Sequence, residues 1–244
     1  MESLEKKAKR LRKELIDLSL KIGETHLGGC FSEIEIMITL YDLILKEEDK
    51  FILSKGHCCH TMYLLLKEQG YNPKFSVHPD IDVKNKIFCT TGSLGHGLPI
   101  AVGMALARKK MNTKGKIFVL MGDGECQEGT TWESAMIANY RKLNNLIVIV
   151  DRNKLQALDT IDDALSVGDL RKKFEVFGWS AIEVNGHSFE ELTEGFKRLE
   201  KDKPKVIIAH TIKGKGVSFM ENDTKWHARV PNEEELKKAY KELE

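Results

Sequence analysis

No charge of one sign dominates this chain: 38 lysines and arginines nearly cancel 37 aspartates and glutamates, leaving a formal charge of +1. That balance argues against the clustered basic surface that nucleic acid or an anionic membrane would need. Long apolar runs are also missing. The longest are of strand length, so nothing in the sequence has the stretch of a bilayer-spanning helix. The segment Met1 to Glu14 is densely charged and lacks the apolar centre of a signal peptide. Five cysteines, at Cys30, Cys58, Cys59, Cys89 and Cys126, show no CxxC spacing, which argues against a zinc knuckle or a disulfide framework. Neither an internal repeat nor a linker-like stretch interrupts the 244 residues. One domain, 1–244, in a cytoplasmic protein is the expectation.

What is present is an alternation of periods. Leu4, Ala8, Leu11, Leu15, Leu18 and Ile22 step by four and three, a helical stripe that stops at Gly23. Ser32 and Glu35 have capping-box spacing, predicting a helix from there to about Leu45 after a flexible Thr25–Gly29 loop. Short apolar runs at Phe51–Leu53, Ile117–Met121, Leu146–Val150, Trp179–Val184 and Val206–His210 read as strands. Helices are predicted between them over Cys58–Glu68, Thr131–Leu143, Asp169–Phe177 and Phe189–Leu199, with Thr130 and Glu133 in capping-box spacing. A small-residue helix through Ala101, Gly103, Ala105 and Ala107 is expected to be deeply buried. Tyr71–Lys86, with Pro73 and Pro79, reads as a loop, Lys213–Pro231 as a surface crossing, and the last thirteen residues as a charged helix. Strand and helix in alternation predict an α/β fold, a parallel central sheet with helices on both faces.

Chemistry gathers at two strand ends. Gly122-Asp123-Gly124 follows one apolar run directly, and Asn153 follows the next, thirty positions after Asp123. An Asp-Gly pair alone is an ordinary turn. In an open parallel sheet, however, the carboxyl edge is where ligands bind. Asp123, the Asn153 amide oxygen and a carbonyl near Leu155 could hold one hard cation, the remaining positions going to phosphate oxygens and water. Gly124 could then offer an unobstructed N–H to a phosphate.

The pattern resembles the thiamine-diphosphate motif, GDG followed about thirty residues later by Asn. The likeness widens to Gly122–Gly129 with Trp132-Glu133, Asp151–Gln156, Leu53-Ser54-Lys55-Gly56-His57, Thr91-Gly92-Ser93-Leu94-Gly95, Phe177-Gly178-Trp179 with Val184–His187, and Lys213–Val217 through Trp226-His227. Together these resemble the amino-terminal, diphosphate-binding domain of the transketolase family, over about residues 10 to 231. The resemblance implies thiamine diphosphate with Mg²⁺, Ca²⁺ or Mn²⁺ being alternatives, and a cation site of Asp123, Asn153 and Leu155. It implies cofactor contacts from His57, Gly92, Ser93, Leu94, Gly122, Asp123, Gly124, Glu125, Asp151, Asn153 and His227, with Asp151 behind the ligands. A lone histidine is usually structural, but the resemblance places His26, His57, His78 and His227 in the active site, His26 and His78 meeting the donor's hydroxyls. His96 stands where many relatives have Gln and is given a supporting role; His187 and His210 are read as structural. Glu128 and Glu133 suit a helix start; the resemblance puts them at a subunit interface. Thr25–Gly29 departs from the commoner GHPGG form, and Gln156–Asp159 lacks the IDG that usually follows the Asn.

Full-length relatives carry pyrimidine and carboxy-terminal domains after this one, and the sequence has no stretch to form them. The expectation is therefore the amino-terminal subunit of a split transketolase, moving a two-carbon ketol unit from a ketose phosphate to an aldose phosphate. It would work with a separate carboxy-terminal subunit, in a heterotetramer of two of each chain. Three alternatives are a subunit like deoxyxylulose-phosphate synthase, one like a 2-oxo acid dehydrogenase, and a non-catalytic regulatory or scaffolding relic. The intact Asp123, Asn153 and histidine set argue against the last.

Overall fold

The computed structural model describes residues 2–23, 25–198, 200 and 202–244. Helix α1 (Leu4–Ile22) begins at Ser3, whose hydroxyl accepts from Lys6 N, and ends at Gly23, whose left-handed φ of 77° lets its N–H reach Ser19 O. Its buried stripe is Ala8, Leu11, Leu15 and Ile16, while Ile22 faces out.

Five parallel strands follow: β1 (Lys50–Leu53), β2 (Ile117–Gly122), β3 (Leu146–Arg152), β4 (Ser180–Asn185) and β5 (Lys205–His210). They lie in the order β1-β2-β3-β5-β4, so β5 fills the slot between β3 and β4. Because side chains alternate along a strand, each apolar run feeds two cores. Phe51, Leu53, Phe118, Leu120, Ile147, Ile149 and Ile207 pack with α1, α2 (Leu27–Ile38), α3 (Cys59–Glu68) and α8 (Phe189–Arg198). Ile52, Val119, Met121, Val148, Val150, Val206 and Ile208 pack with α4 (Gly97–Lys110), α5 (Gly129–Tyr140) and α7 (Leu170–Val176). The predicted doubly covered parallel sheet is the observed one. Helix α9 (Glu233–Glu242) carries a capping box between Asn232 and Glu235, as a charged terminal helix should. Among the described residues no helix is long and apolar enough to cross a membrane.

Several local expectations need correction. Ser32 does not cap a helix: α2 starts five residues earlier at Leu27, with His26 at its N-cap, and runs on into a π-helix at Thr39–Ile44. Leu27, Gly28 and Gly29 are thus helical rather than loop. The glycines permit close packing, since a Cβ on Gly28 would lie 2.9 Å from Trp226 O and one on Gly29 2.5 Å from Cys58 Sγ. Thr130 likewise makes no capping box; α5 begins at Gly129 and the Thr130 hydroxyl donates to Gly95 O at 2.8 Å. Helix α4 buries one face only, through Leu98, Ala101, Val102 and Ala105, and leaves Gly103 in open space. The Lys213–Pro231 segment is no surface crossing. Val217, Met220 and Trp226 are core residues, and buried Arg12 grips the segment by donating to Lys215 O at 2.6 Å. A short helix, α6 (Ile161–Leu165), had no periodic signal. Helix α8 ends at Arg198; Leu199, expected to be its last residue, lies outside the described residues.

Candidate active site

Register brings the carboxyl ends of four adjacent strands to one edge. Gly122 pairs with Asp151, and Asp151 with Ala209, so Asp123, Asn153 and the turn after His210 emerge side by side. Ser54-Lys55 leave β1 at the same level, Leu53 pairing with Leu120. Above this edge lies a cavity of about 350 Å³.

The four expected histidines converge there from separate elements. His26 arrives at the N-cap of α2, His57 on the 3-10 turn after β1, His78 on the proline-flanked loop and His227 on a 3-10 turn after β5. The His26 ring lies 5.2 Å from His57, 5.0 Å from His227 and 6.3 Å from His78, centroid to centroid; His57 and His227 are 5.5 Å apart. Gly92 takes φ 151° beneath His78, whose Cδ2 would sit 2.9 Å from any Cβ there. Burial, with the charge of Lys55, holds His57 well below the ordinary imidazole pKa; burial and the Lys213 charge bring His227 down to about 4. Both rings are therefore neutral near pH 7.

Opposite the histidines lie Asp123 and Asn153, 2% and 8% exposed. Asp123 accepts from Lys154 N at 2.7 Å and Gly124 N at 3.0 Å, backbone donors only. Burial, added to the charge of Asp151, raises its pKa to about 6. Asn153 Oδ1 accepts from Leu155 N at 3.1 Å, and Leu155 also lines the cavity. A buried carboxylate with no cationic side chain bonded to it, beside an amide oxygen, is the donor set a hard cation takes. Among the described residues no three His, Cys, Asp or Glu side chains converge as a metal site; a cation on Asp123, the Asn153 amide and a backbone carbonyl would take its remaining ligands from phosphate oxygens and water. The residues fit a cation held between protein and a diphosphate.

Other expected contacts behave differently. The Gly124 N–H does not face out freely, being engaged by Asp123 Oδ1. Glu125 borders the cavity, but its carboxylate is committed to Ser54 Oγ (2.5 Å), Gly95 N (3.0 Å) and Gly122 N (2.9 Å). It ties β1, the Thr91–Gly95 loop and the β2 turn together. Asp151 is fully buried behind the cavity, accepting from Lys55 Nζ, Thr211 Oγ1 and Ser32 Oγ. Gly92, Leu94, Gly122 and Glu128 line the cavity; Ser93 and Glu133 do not. His96 is exposed, its Nδ1 3.0 Å from Leu94 O. His187 is structural: Ile212 N donates to its Nε2, leaving Nδ1 to donate to Glu35 Oε2 at 2.9 Å. His210 pairs with Glu183 at the surface.

Two lysines complete the site and were missed as site residues. Lys55, 1% exposed, donates to Gly29 O at 3.1 Å and pairs with Asp151 and Glu33. Lys213 donates to Gln156 O at 2.7 Å and lies 3.3 Å from His227 Nδ1; burial lowers its pKa to about 8. The available signal was position, since each follows an apolar strand within a few residues and precedes a glycine.

A family model described as "Transketolase, thiamine diphosphate binding domain" matches residues 5–244. The chain belongs to this family. It is 37% identical over its whole length to an apulose-4-phosphate transketolase subunit of Phocaeicola vulgatus, covering 94% of that chain. The subunit of the same name from Actinobacillus succinogenes is 40% identical, with 99% of this chain and 96% of that one aligned. Among solved structures, transketolase from Leishmania mexicana superposes with a TM-score of 0.93 at 26% identity; this chain spans 41% of that longer one. The transketolase fold is thereby established, as is the diphosphate-binding character of the domain.

Proposed function

We propose that the chain is the amino-terminal subunit of a two-chain transketolase, transferring a two-carbon ketol unit from a ketose phosphate to an aldose phosphate. The observation carrying this reading is the convergence of four histidines from four elements on the cavity that also holds Asp123 and Asn153. Sugar hydroxyls need groups that donate and accept together, and His26 and His78 would meet those of the donor. Asp123, Asn153 and the Leu155 carbonyl would hold Mg²⁺, with Ca²⁺ or Mn²⁺ as alternatives, and Lys213 would face the diphosphate. Thiamine diphosphate, when bound, supplies the electron sink for breaking and forming a carbon–carbon bond. Around it His57 and His227, neutral at rest, would each present one donor and one acceptor nitrogen to the reacting hydroxyls. An ammonium can only donate, so with Lys213 charged, 3.3 Å from Nδ1 of His227, the ring hydrogen of His227 would sit on Nε2.

The partner would be a separate carboxy-terminal subunit with a pyrimidine-binding domain, in a cytoplasmic assembly of two of each chain. Two relatives that align over nearly their full length are themselves named as single subunits of a transketolase. The outer faces of α4 and α5, with the C-cap of α4, support a protein partner: Ile100, Met111, Met136, Ile137 and Tyr140 are exposed, Met111 and Tyr140 by 72% and 77%. Glu133 is exposed on the same helix as Tyr140, and Glu128 at its start. The test is to combine the chain with a candidate carboxy-terminal subunit, thiamine diphosphate and Mg²⁺. Ketol transfer to ribose 5-phosphate is then measured from xylulose 5-phosphate and from apulose 4-phosphate. Activity only in the two-chain mixture is expected, and full activity from this chain alone would overturn the two-subunit reading.

A further inference from the structure

Asn153 can serve a cation only if its amide presents oxygen, and the two ends of a carboxamide have nearly the same shape. Something must therefore choose the orientation. The choice is made behind the cavity. Asn153 Nδ2 lies 3.4 Å from Ser32 Oγ and 3.4 Å from Asp151 Oδ2, while Ser32 Oγ is 2.6 Å from that same carboxylate oxygen. A carboxylate only accepts, so the nitrogen end must face Asp151. Oδ1 then turns the other way, toward the Leu155 amide at 3.1 Å and the turn that follows. Asp151 is itself immobilised by Thr211 Oγ1, which donates to its other oxygen, Oδ1, and by the ammonium of Lys55, which shares Oδ2 with Ser32. Ser32 and Asp151 are fully buried and outside the cavity lining, so neither can touch a ligand.

We infer that Ser32 and Asp151 are positioning residues that fix the Asn153 amide with its oxygen toward the cation. The inference rests on the cation assignment made above for Asp123 and Asn153. It gives a physical purpose to a serine that lies in mid-helix with no capping function. Hydrogen bonds behind a metal ligand commonly govern metal affinity by ~10–100-fold, and an amide free to rotate would present nitrogen, a donor, for part of the time.

The experiment is titration calorimetry of Mg²⁺ into the full chain with saturating thiamine diphosphate, together with thermal unfolding without ligands. Ser32→Ala should weaken Mg²⁺ binding ~10-fold or more while shifting the unfolding midpoint little. In an Asn153→Ala background the same substitution should change Mg²⁺ affinity less than about twofold, because the group being oriented is gone. Thr211→Val, which loosens Asp151 without disturbing α2, should act in the same direction by a smaller factor and covers the case in which Ser32→Ala fails to fold. Equal Mg²⁺ affinity in the wild type and both variants would overturn the inference, as would an equal loss with and without Asn153. Absence of Mg²⁺ uptake by the wild type would instead remove the cation assignment, and the inference with it.

Discussion

Asp123 and Asp151 sit at the ends of neighbouring strands, almost side by side in register, and both are buried; yet their surroundings push them in opposite directions. Asp123 receives only backbone N–H groups, and burial with the charge of Asp151 lifts its pKa to about 6. Asp151 is buried at least as deeply, but Lys55 and the hydroxyls of Ser32 and Thr211 outweigh that burial and hold its carboxyl below the usual range. One carboxylate is satisfied by the protein; the other keeps unspent negative charge facing a cavity. Equal residue types one register step apart on neighbouring strands thus divide into an anchor and a ligand. The division is set by what packs behind each of them.

The comparison breaks most visibly at Lys55. Lys55→Met leaves Asp151 buried without its cation and should cost about 3–5 kcal/mol of folding stability, measured by urea unfolding; little loss would mean that Asp151 is not an anchor. Asp123→Asn should do the reverse. Cation affinity in the presence of thiamine diphosphate should fall ~100-fold or more, beyond the range for groups behind a ligand. Stability without cation should hold or rise, because the fold disfavours this charge. Retained tight binding would place the cation elsewhere.

The smallest effect concerns pH. His227 has a folded pKa of about 4 against an ordinary 6.5, so between these values the unfolded chain binds more protons and stability rises with pH. The penalty is fully present below about 4 and absent above 6.5. Asp123, with its pKa raised from 3.8 to about 6, acts with the opposite sign over nearly the same window. Unfolding free energies of the wild type and His227→Asn, compared from pH 4 to 7, separate the two contributions. The variant should be relatively more stable at the acid end, and an unchanged difference across the window would show that His227 is not held neutral. The slope should be shallow because His227 is only partly buried.

Much of this architecture was legible because periodicity is a local property. The five strands and the stop of α1 at Gly23 follow from apolar spacing and one left-handed glycine. Capping spacings misled where a tertiary partner competed for the same side chain. The Ser32 hydroxyl goes to Asp151 and that of Thr130 to Gly95 O, neither to a helix end. Burial of Lys213–Pro231 was equally invisible, since its Gly- and Lys-rich composition reads as surface until Arg12, 203 positions away, is found holding it.

At the site, the sequence by itself determined which residues could do chemistry: histidines in irregular segments, an aspartate and an asparagine at strand ends. It also determined that they lie on one edge, because parallel strands carry their carboxyl ends together. Tertiary structure alone decided the roles. Lys55 neutralises Asp151 rather than a ligand, Glu125 braces loops, and Asp123 is left for a cation. These assignments depend on separations of a few ångströms between residues far apart in sequence, and on how much water each group has lost. Spacing along the chain encodes neither.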